Sequence, residues 1–245
     1  MNKLFLLALA VVSANASYAQ VDGTASGTSK AYAQYRVYET TPPYGLAKVK
    51  ALIKTAKKKD VAQGDTYVIA LTDQQFNYLS LEDKYTYVMI HPEQYMQNCN
   101  GAFLRQGEEH MVFSFLPTSA DDMGWSDRQT AFLKDNKSKV EALMKDEINR
   151  IQHVGLNIKQ AVLQLDAYSL IPSLVKAFNR NPKDMDILTV LLVLMKDGNY
   201  QPFKASETYT KLFGPNAQYD SYIVGNAANK ELTTQRALAF YKSRG

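Results

Sequence analysis

Residues 187–195 read ILTVLLVLM, a run in which Thr189 is the only polar side chain. A helix that is apolar around its whole circumference is buried on every side. Gly198 follows the run and suits the position just after the last turn of a helix. The sequence therefore predicts a helix over 184–197 at the centre of the molecule, with the other helices packed around it.

Helical periodicity continues on both sides of this central segment. The sequence Ser126-Asp127-Arg128-Gln129 has the pattern of a capping box, which marks the start of a helix, and that helix is expected to reach about residue 150. Further helices are expected over four ranges: 158–168, 172–180, 204–213 and 228–243. Because no repeat of fixed length is present, the predicted fold class is mainly α, an irregular multi-helix array over 122–245.

A smaller subdomain, either helical or α+β, is expected over 43–118. Its first element is predicted to be a helix over 44–59, with apolar side chains on one face. Two apolar runs, TYVIAL at 66–71 and EEHMVFSFLP at 108–117, suit either a short strand or a helix. Side chains suited to N-cap positions precede two further short helices: Thr72 and Ser80. This part of the chain therefore has room for one or two short strands.

The first twenty residues, MNKLFLLALAVVSANASYAQ, have the pattern of a secretory signal peptide. Lys3 supplies the positive charge, residues 4–14 form the apolar region, and Ser17-Tyr18-Ala19 is a small-x-small cleavage site. The apolar region is too short to span a bilayer. We expect cleavage after Ala19, so that 1–19 is removed, a flexible leader over 20–42 and an extracytoplasmic location, either periplasmic or secreted.

Composition and charge limit the classes of function that need to be considered. The 28 basic and 24 acidic residues leave a formal charge of +4, which is too weak to indicate nucleic-acid binding. With one cysteine, the chain cannot form an internal disulfide. No stretch after the signal is long and uncharged enough to be a transmembrane helix. No phosphate-binding loop or dinucleotide fingerprint occurs, so no cofactor is expected.

The most reactive candidate is Cys99, with His91 or His110 as its base. A nucleophilic thiol needs such a base or a lowered pKa. Residues 98–103, NCNGAF, resemble the nucleophile segment of NlpC-type cell-wall peptidases, where a cysteine is followed by a small residue, Gly and an aromatic. Here an Ala precedes Phe103, and the strand-rich half expected of that family is lacking. An intermolecular disulfide and a buried thiol that packs as a small apolar side chain are the alternatives, and we favour the last.

Metal binding is not expected. Glu108, Glu109 and His110, together with Cys99 and His91, are suitable ligand types. Their spacing nevertheless matches no zinc pattern, since neither His-Glu-x-x-His nor paired Cys-x-x-Cys occurs. A further histidine, His153, stands alone after the long helix and is interpreted as a cation near a helix C-terminus.

Two groups of side chains are candidates for binding. The helix expected over 44–59 is strongly basic through its lysines, and Lys54, Lys57, Lys58 and Lys59 are singled out. A basic amphipathic helix can lie on an anionic surface such as envelope lipid, although a solvated face is the simpler interpretation. The aromatic residues Trp125, Tyr200 and Phe203 are candidates for lining a groove, and core packing explains them equally well.

These observations favour a non-catalytic binding or scaffold protein of the cell envelope. Helical arrays offer extended grooves, and no complete catalytic set is visible. The expected partner is an unidentified protein or envelope component. Two alternatives stand beside this hypothesis: a cysteine-dependent cell-wall hydrolase that uses Cys99, and a peripheral binder of anionic envelope lipid.

Overall fold

A computed structural model describes residues 26–60, 67–96, 105–119, 123–218 and 220–244. The described residues contain twelve α-helices: α1 Gly27–Arg36, α2 Leu46–Ile53, α3 Asp73–Asn77, α4 Leu81–Ile90, α5 Asp127–Asp135, α6 Lys137–Arg150, α7 Leu156–Gln164, α8 Ile171–Arg180, α9 Met185–Asp197, α10 Gln201–Lys204, α11 Glu207–Phe213 and α12 Ala227–Lys242. Two 3₁₀ turns lie at Glu108–His110 and Tyr168–Leu170. The predicted mainly α fold is confirmed.

Six short strands form three separate two-stranded sheets in this part of the chain: β1 Lys57–Asp60, β2 Tyr67–Ala70, β3 Gln94–Tyr95, β4 Met111–Phe113, β5 Met123–Gly124 and β6 Tyr222–Val224. The antiparallel pairs are β1 with β2, β3 with β5 and β4 with β6. Strand β6 lies in the C-terminal part, where the sequence suggested only helices. The sheet β4–β6 therefore joins the two parts of the chain.

Helix α9 is the predicted central helix. Every residue from Met185 to Leu192 is buried, and the helix packs against α7, α8, α12 and β4. Its one polar side chain inside the apolar run, Thr189, donates a 3.0 Å hydrogen bond from Oγ1 to the carbonyl oxygen of Phe113. The hydroxyl is therefore satisfied inside the core, as a buried polar group has to be.

The long helix expected from Ser126 is interrupted at Asn136. This residue has φ of −111° and separates α5 from α6, and its side-chain Nδ2 donates to the Phe132 carbonyl oxygen at 2.9 Å. An asparagine that bonds the backbone in this way competes with helix continuation. The predicted capping box is present, since the side chains of Ser126 and Gln129 each bond the other's backbone N–H.

The helix predicted over 44–59 is wrong in its second half. Helix α2 ends at Ile53, and Lys57, Lys58 and Lys59 lie in strand β1. The Thr55 hydroxyl donates to the Leu52 carbonyl oxygen at 2.7 Å where the helix ends. The lysines then pair with the run 67–70, which supplies a partner that the local pattern does not reveal.

A glycine fixes the start of α2. Gly45 has φ of +58°, a left-handed conformation that favours glycine. A Cβ at this position would lie 1.8 Å from Oδ1 of Asp83 in α4. The close approach lets Lys48 of α2 donate to the Asp83 carboxylate at 2.6 Å, so α2 and α4 pack together.

Part of the segment expected to be a flexible leader is a helix. Within 20–42, residues 27–36 form α1, where Tyr32 enters the hydrophobic core and Arg36 is buried. That core is continuous across the described residues and includes side chains from both the 43–118 part and the 122–245 part. The two parts therefore share one core.

Buried ion pairs hold α7 and α1 against the start of α9. Lys159 of α7 donates from Nζ to Oδ1 of Asp184 at 2.6 Å, and both side chains are almost fully excluded from solvent. The guanidinium of Arg36 makes a bidentate contact with Asp186, at 2.8 to 3.1 Å, and also contacts Glu108. Charges removed from water in this way are costly unless each has a partner.

Loss of the buried ammonium group should destabilise the fold strongly. In Lys159→Met, Asp184 would remain buried near Asp186 without its cation, which costs about 3–5 kcal/mol of unfolding free energy. Burial already raises the pKa of Asp184, and the loss of Lys159 would raise it further. In the folded variant Asp184 binds a proton more tightly than in the unfolded chain. The loss of unfolding free energy should therefore be smaller at acidic than at neutral pH.

Urea denaturation of the unsubstituted protein and of Lys159→Met, at neutral and at acidic pH, measures this loss of unfolding free energy directly. The matched control is Lys176→Met, which removes an exposed lysine from α8 and should change stability by less than about 0.5 kcal/mol. Equal effects of the two substitutions would show that the buried pair has no special role.

The surroundings of two ionisable groups, the partly buried His153 and the buried Glu147, shift their pKa values in opposite directions. His153 lies between the rings of Tyr35 and Tyr38, with centroids 3.6 and 4.8 Å away. Burial, and then the charge of Lys159, lower its pKa from 6.5 to about 4. The lowered pKa favours the neutral imidazole at pH 7, in contrast to the cation that the sequence suggested. Burial raises the pKa of Glu147, whose carboxylate accepts from the Tyr85 hydroxyl at 2.8 Å, from 4.5 to about 7.

These shifts predict opposite effects on stability. The raised pKa of Glu147 contributes stability that is complete below 4.5 and is lost as the pH rises through about 7. The lowered pKa of His153 contributes stability that is complete above 6.5 and is lost as the pH falls towards about 4. Between 4.5 and 6.5 the two contributions oppose each other and nearly cancel.

Replacing either residue should remove its contribution to the change of unfolding free energy with pH. Relative to the unsubstituted protein, the stability of Glu147→Gln should rise with pH between 4.5 and 6.5, by about 1.4 kcal/mol per pH unit. The stability of His153→Phe, which keeps an aromatic ring in the stack, should fall by the same amount. Urea denaturation across this range measures both slopes. Parallel profiles for the two variants would contradict the assignment.

Candidate functional site

A cleft of about 570 Å³ lies where α4, β3, β5, α5 and α7 meet. We call it the Trp125 groove. The described residues that line it carry apolar and thioether side chains, uncharged amides and hydroxyls, and one ionisable group: Glu39, Met89, Pro92, Gln94, Met96, Leu116, Pro117, Thr118, Ser119, Met123, Gly124, Trp125, Thr130, Asn157, Gln160, Leu163 and Gln164. Its size is typical of a site for a small molecule or a short peptide segment.

Trp125 is fixed in place by a hydrogen bond. Its indole Nε1 donates to the carbonyl oxygen of Val88 in α4 at 2.8 Å. The preceding residue, Gly124, pairs with Gln94 in the sheet β3–β5. A Cβ on Gly124 would lie 2.1 Å from Sδ of Met96, so the absence of a side chain lets this thioether lie across β5. Trp125 and Met96 thus line the same groove.

A buried carboxylate supports the groove from behind. Glu93, between the lining residues Pro92 and Gln94, accepts hydrogen bonds from Arg128 and from the hydroxyls of Tyr87 and Ser126. Burial alone would raise the pKa of Glu93, but these hydrogen bonds outweigh that effect and lower it. The carboxylate therefore stays ionised and holds α5 against the end of α4.

Gln129 of the capping box also holds α5 against the end of α4. Its Oε1 accepts from the backbone N–H groups of Glu93 and Ser126 at 3.0 and 3.1 Å. Its Nε2 donates to the His91 carbonyl oxygen at 2.8 Å. A residue recognised in the sequence only as part of a helix cap therefore also sets the position of β3 beside the groove.

Helix α7 forms the opposite wall. Asn157 near its start donates from Nδ2 to the carbonyl oxygens of Thr40 and Met89, both at 2.8 Å, and its Oδ1 accepts from the Thr40 N–H. Its side chain is thus used by the fold itself. Further along the helix, Gln160 and Gln164 line the groove, and their amides make no hydrogen bond within the described residues.

The side chains of the lining are suited to contacts with an apolar ligand. Methionine side chains are flexible and polarizable, and they adapt to ligands of different shape. Free amides can donate to and accept from a ligand without adding charge. Among the described residues, no group of three or more His, Cys, Asp or Glu side chains is arranged to hold a metal ion.

The three aromatic candidates do not share one groove. Trp125 lines the cleft, whereas Phe203 is fully buried and packs against Tyr209 with ring centroids 5.5 Å apart. Tyr200 packs against Phe240 at 5.1 Å. Of the two interpretations that the sequence left open for Phe203, its burial supports core packing, and Tyr200 packs beside α12.

Cys99 lies outside the described residues, and its two candidate bases lie in different surroundings. Nε2 of His91 is 2.7 Å from the carbonyl oxygen of Ile69, so this histidine is tied to strand β2. His110 is largely exposed and lies 4.0 Å from Glu109. Glu109 in turn accepts a hydrogen bond from Ser29. Neither histidine is among the described residues that line the Trp125 groove.

The four candidate lysines lie at the end of α2 and in strand β1. Lys54 follows the last residue of α2, and Lys57, Lys58 and Lys59 belong to β1. All four are exposed. None of the four lines the Trp125 groove, and the strand register places Lys58 on the opposite face of the sheet from Lys57 and Lys59.

The sequence pointed to one lining residue, Trp125, and not to the methionines or glutamines around it. The available signals were weak: Met89 and Gln94 flank the break at His91-Pro92, and Gln160 and Gln164 are spaced to share a face of a helix. Only the folded chain places them around one cleft.

No protein-family model, curated protein or solved structure matches this chain. The chemistry of its own side chains is therefore the basis for assigning a function to the groove. In the part of the chain that the structure describes, no helix is both long and apolar enough to cross a bilayer.

A methyl group at Gly124 should change the groove without unfolding the protein. In Gly124→Ala, the Met96 thioether has to move because the new Cβ would lie 2.1 Å from its Sδ. Met96 is 45% exposed, so the side chain can swing away at a cost of less than about 1 kcal/mol. Acrylamide quenching of Trp125, the only tryptophan in the chain, should change measurably.

The matched control is Gly27→Ala, where a Cβ would meet nothing within 4 Å. Its quenching should equal that of the unsubstituted protein. A quenching change of the same size in both variants would mean that Met96 does not govern access to Trp125.

Proposed function

We propose that this chain is an exported, non-catalytic binding protein that holds an uncharged, largely apolar peptide segment in the Trp125 groove. The observation that carries the proposal is the composition of the described lining, in which Glu39 is the only ionisable residue among methionine, leucine, tryptophan and amide side chains. A site of this kind suits a ligand that is apolar and neutral, because the described lining contains no cationic side chain to pair with a phosphate or a carboxylate.

The amide groups favour a peptide over a plain hydrocarbon. Gln94, Gln160 and Gln164 provide both donors and acceptors around an apolar floor, which is what a peptide backbone with apolar side chains requires. A pure lipid chain would leave these polar groups unpaired.

Export is part of the proposal and is supported by the first twenty residues alone. Charge, apolar region and cleavage site occur there in the order of a signal peptide. Mass spectrometry of the protein recovered from an expressing bacterium should find Gln20 as the first residue, in the periplasmic or extracellular fraction. An uncleaved chain in the cytoplasm would remove this part of the proposal and leave the groove unaffected.

Binding can be followed through Trp125 itself. Blocked peptides of Ala, Leu and Val should shift its emission, whereas peptides of equal length that contain Asp or Glu should not. Met96→Ala removes an exposed apolar side chain from the groove and should weaken binding about 5- to 30-fold, as expected for about 1–2 kcal/mol of lost contact.

Leu232→Ala is the control for this substitution, because Leu232 is similarly exposed, at 39% against 45% for Met96, but lies on α12. It should bind peptide like the unsubstituted protein. The proposal fails if no blocked apolar peptide changes the emission or if both variants lose affinity equally. Turnover of a cell-wall peptide that disappears in Cys99→Ala would instead establish the hydrolase alternative.

A further inference from the structure

A second cavity, of about 420 Å³, lies between α1, the 3₁₀ turn at Glu108–His110, the loop that precedes α9 and the start of α12. We call it the Tyr35 cavity. No described residue lines both this cavity and the Trp125 groove. Its volume is within the range of sites that hold a small molecule.

Two tyrosine rings and a thioether form much of the apolar lining: Tyr32, Tyr35 and Met185. The Tyr32 hydroxyl accepts from the Met185 N–H at 3.0 Å. The Tyr35 hydroxyl donates to Asp184 at 3.2 Å and accepts from the Asn181 amide at 2.7 Å. Because both hydroxyls are used by the fold, the rings offer mainly carbon surface to a ligand.

Two lysines supply positive charge to the same cavity. Lys183 is exposed and Lys230 is half-buried, and neither forms an ion pair with the described residues, in contrast to Lys159. Nζ of Lys230 donates to the Pro182 carbonyl oxygen at 3.0 Å, which holds the ammonium group beside this loop. Burial lowers the pKa of Lys230. An anion bound next to it would offset that loss of hydration.

The acidic side chain of the described lining, Glu109, already has partners. Its carboxylate accepts from the Ser29 hydroxyl at 2.8 Å and lies 4.0 Å from His110. A hydrogen bond from its own backbone N–H, and then the one from Ser29, lower the pKa of Glu109, so the carboxylate is ionised at neutral pH. With two lysines against one glutamate, the described lining carries a net positive charge.

Close packing holds the walls of the cavity in place. The Gly225 N–H donates to the His110 carbonyl oxygen at 2.7 Å, which ties the segment before α12 to the 3₁₀ turn. A Cβ on Gly225 would lie 2.8 Å from Sδ of Met185, so the missing side chain leaves room for this thioether. The walls are therefore positioned before a ligand arrives, which reduces the ordering cost of binding.

We propose that the Tyr35 cavity binds a small carboxylate with an aromatic or aliphatic body, which packs on the tyrosine rings while its carboxylate pairs with Lys183 and Lys230. Lys183 directly follows the Pro182 carbonyl that Lys230 contacts, so the flexible side chains of both lysines can reach one carboxylate. The ligand supplies the anion that the described residues do not. The inference does not depend on the peptide proposed for the Trp125 groove.

The mixed lining favours this class of ligand over three others. A hydrocarbon would cover the rings and leave both lysines without an anion, whereas inorganic phosphate would pair with the lysines and leave the rings uncovered. A neutral sugar has many hydroxyls to satisfy, and the described lining offers few free partners for them, such as the Thr28 hydroxyl and Oδ1 of Asn181. A carboxylate with an apolar body matches both halves of the lining.

The first test compares phenylpropionate with phenylpropanamide by isothermal titration calorimetry, since the two have nearly the same shape and differ in charge. We expect the acid to bind at least about tenfold more tightly than the amide, because its hydrogen bonds to the lysines are charge-assisted. Added salt should weaken binding of the acid and not of the amide. The emission of Trp125 should not change, because this residue lines the other site.

The second test removes the two charges. Lys183→Gln/Lys230→Gln keeps a donor for the Pro182 carbonyl and should weaken phenylpropionate binding about 5- to 25-fold, as expected for two partly exposed ion pairs. Binding of the amide should not change. The matched control is Lys134→Gln/Lys139→Gln, which removes two exposed lysines from α5 and α6. Circular dichroism establishes that each variant is folded.

The third test adds a competing charge at Thr28, an exposed residue in the first turn of α1 that lines the cavity. A glutamate is favourable in the first turn of a helix, so Thr28→Glu should fold normally. Its carboxylate should repel the ligand and pair with the lysines, which weakens binding. Thr28→Gln, which has the same size without the charge, should bind phenylpropionate at least about fivefold more tightly than Thr28→Glu.

Four results would overturn the proposal. Equal affinity for acid and amide, or equal losses in the two double-lysine variants, would show that the lysines do not recognise a carboxylate. A shift of Trp125 emission on addition of phenylpropionate would assign the ligand to the Trp125 groove. Tighter binding of inorganic phosphate or of phenylpropylamine would assign the cavity to another class of ligand. Failure of both phenylpropionate and hexanoate to bind would exclude apolar carboxylates.

Discussion

The pairing of buried charges around Asp184 and Asp186 is the constraint on which the rest of the structure depends. Both carboxylates lie at the start of the central helix α9, where one is matched by Lys159 and the other by Arg36. An unpaired carboxylate at either place would carry the desolvation cost of a buried charge. Helix α1, α7 and the turn that carries Glu108 must therefore be present together for α9 to be buried, which makes the N-terminal helix part of the core.

The elements that the sequence predicts well are those whose causes are local. The run ILTVLLVLM requires burial whatever surrounds it, and the capping box at Ser126 is a contact between residues three positions apart. The lysines of β1 were assigned to a helix because their partners, residues 67–70, are remote from them in sequence. Strand β6 was missed for the same reason, since its pairing with β4 joins residues more than a hundred positions apart.

The groove shows a similar division between local and remote causes. Trp125 could be singled out because a lone tryptophan is conspicuous, but Met96 became relevant only when Gly124 left space for its sulfur. Gln94 and Gln160 are ordinary polar residues in the sequence and come to line one cleft only through the sheet β3–β5 and helix α7. Conversely, Phe203 looked like a binding aromatic because sequence alone does not distinguish a buried ring from an exposed one.

Helix α7 connects the buried charges to the groove. Lys159 fixes it to α9 from within the core, Asn157 fixes its start to Thr40 and Met89, and Gln160 and Gln164 on the same helix line the cleft. The opposite wall is fixed by Glu93 and its hydrogen-bond donors. The backbone around the groove is therefore held before a ligand arrives, and ordering costs fall mainly on the methionine side chains. Rigid walls with an adaptable floor fit a site that accepts apolar side chains of more than one shape, because the walls set the path of the ligand backbone and the thioethers fill the remaining space.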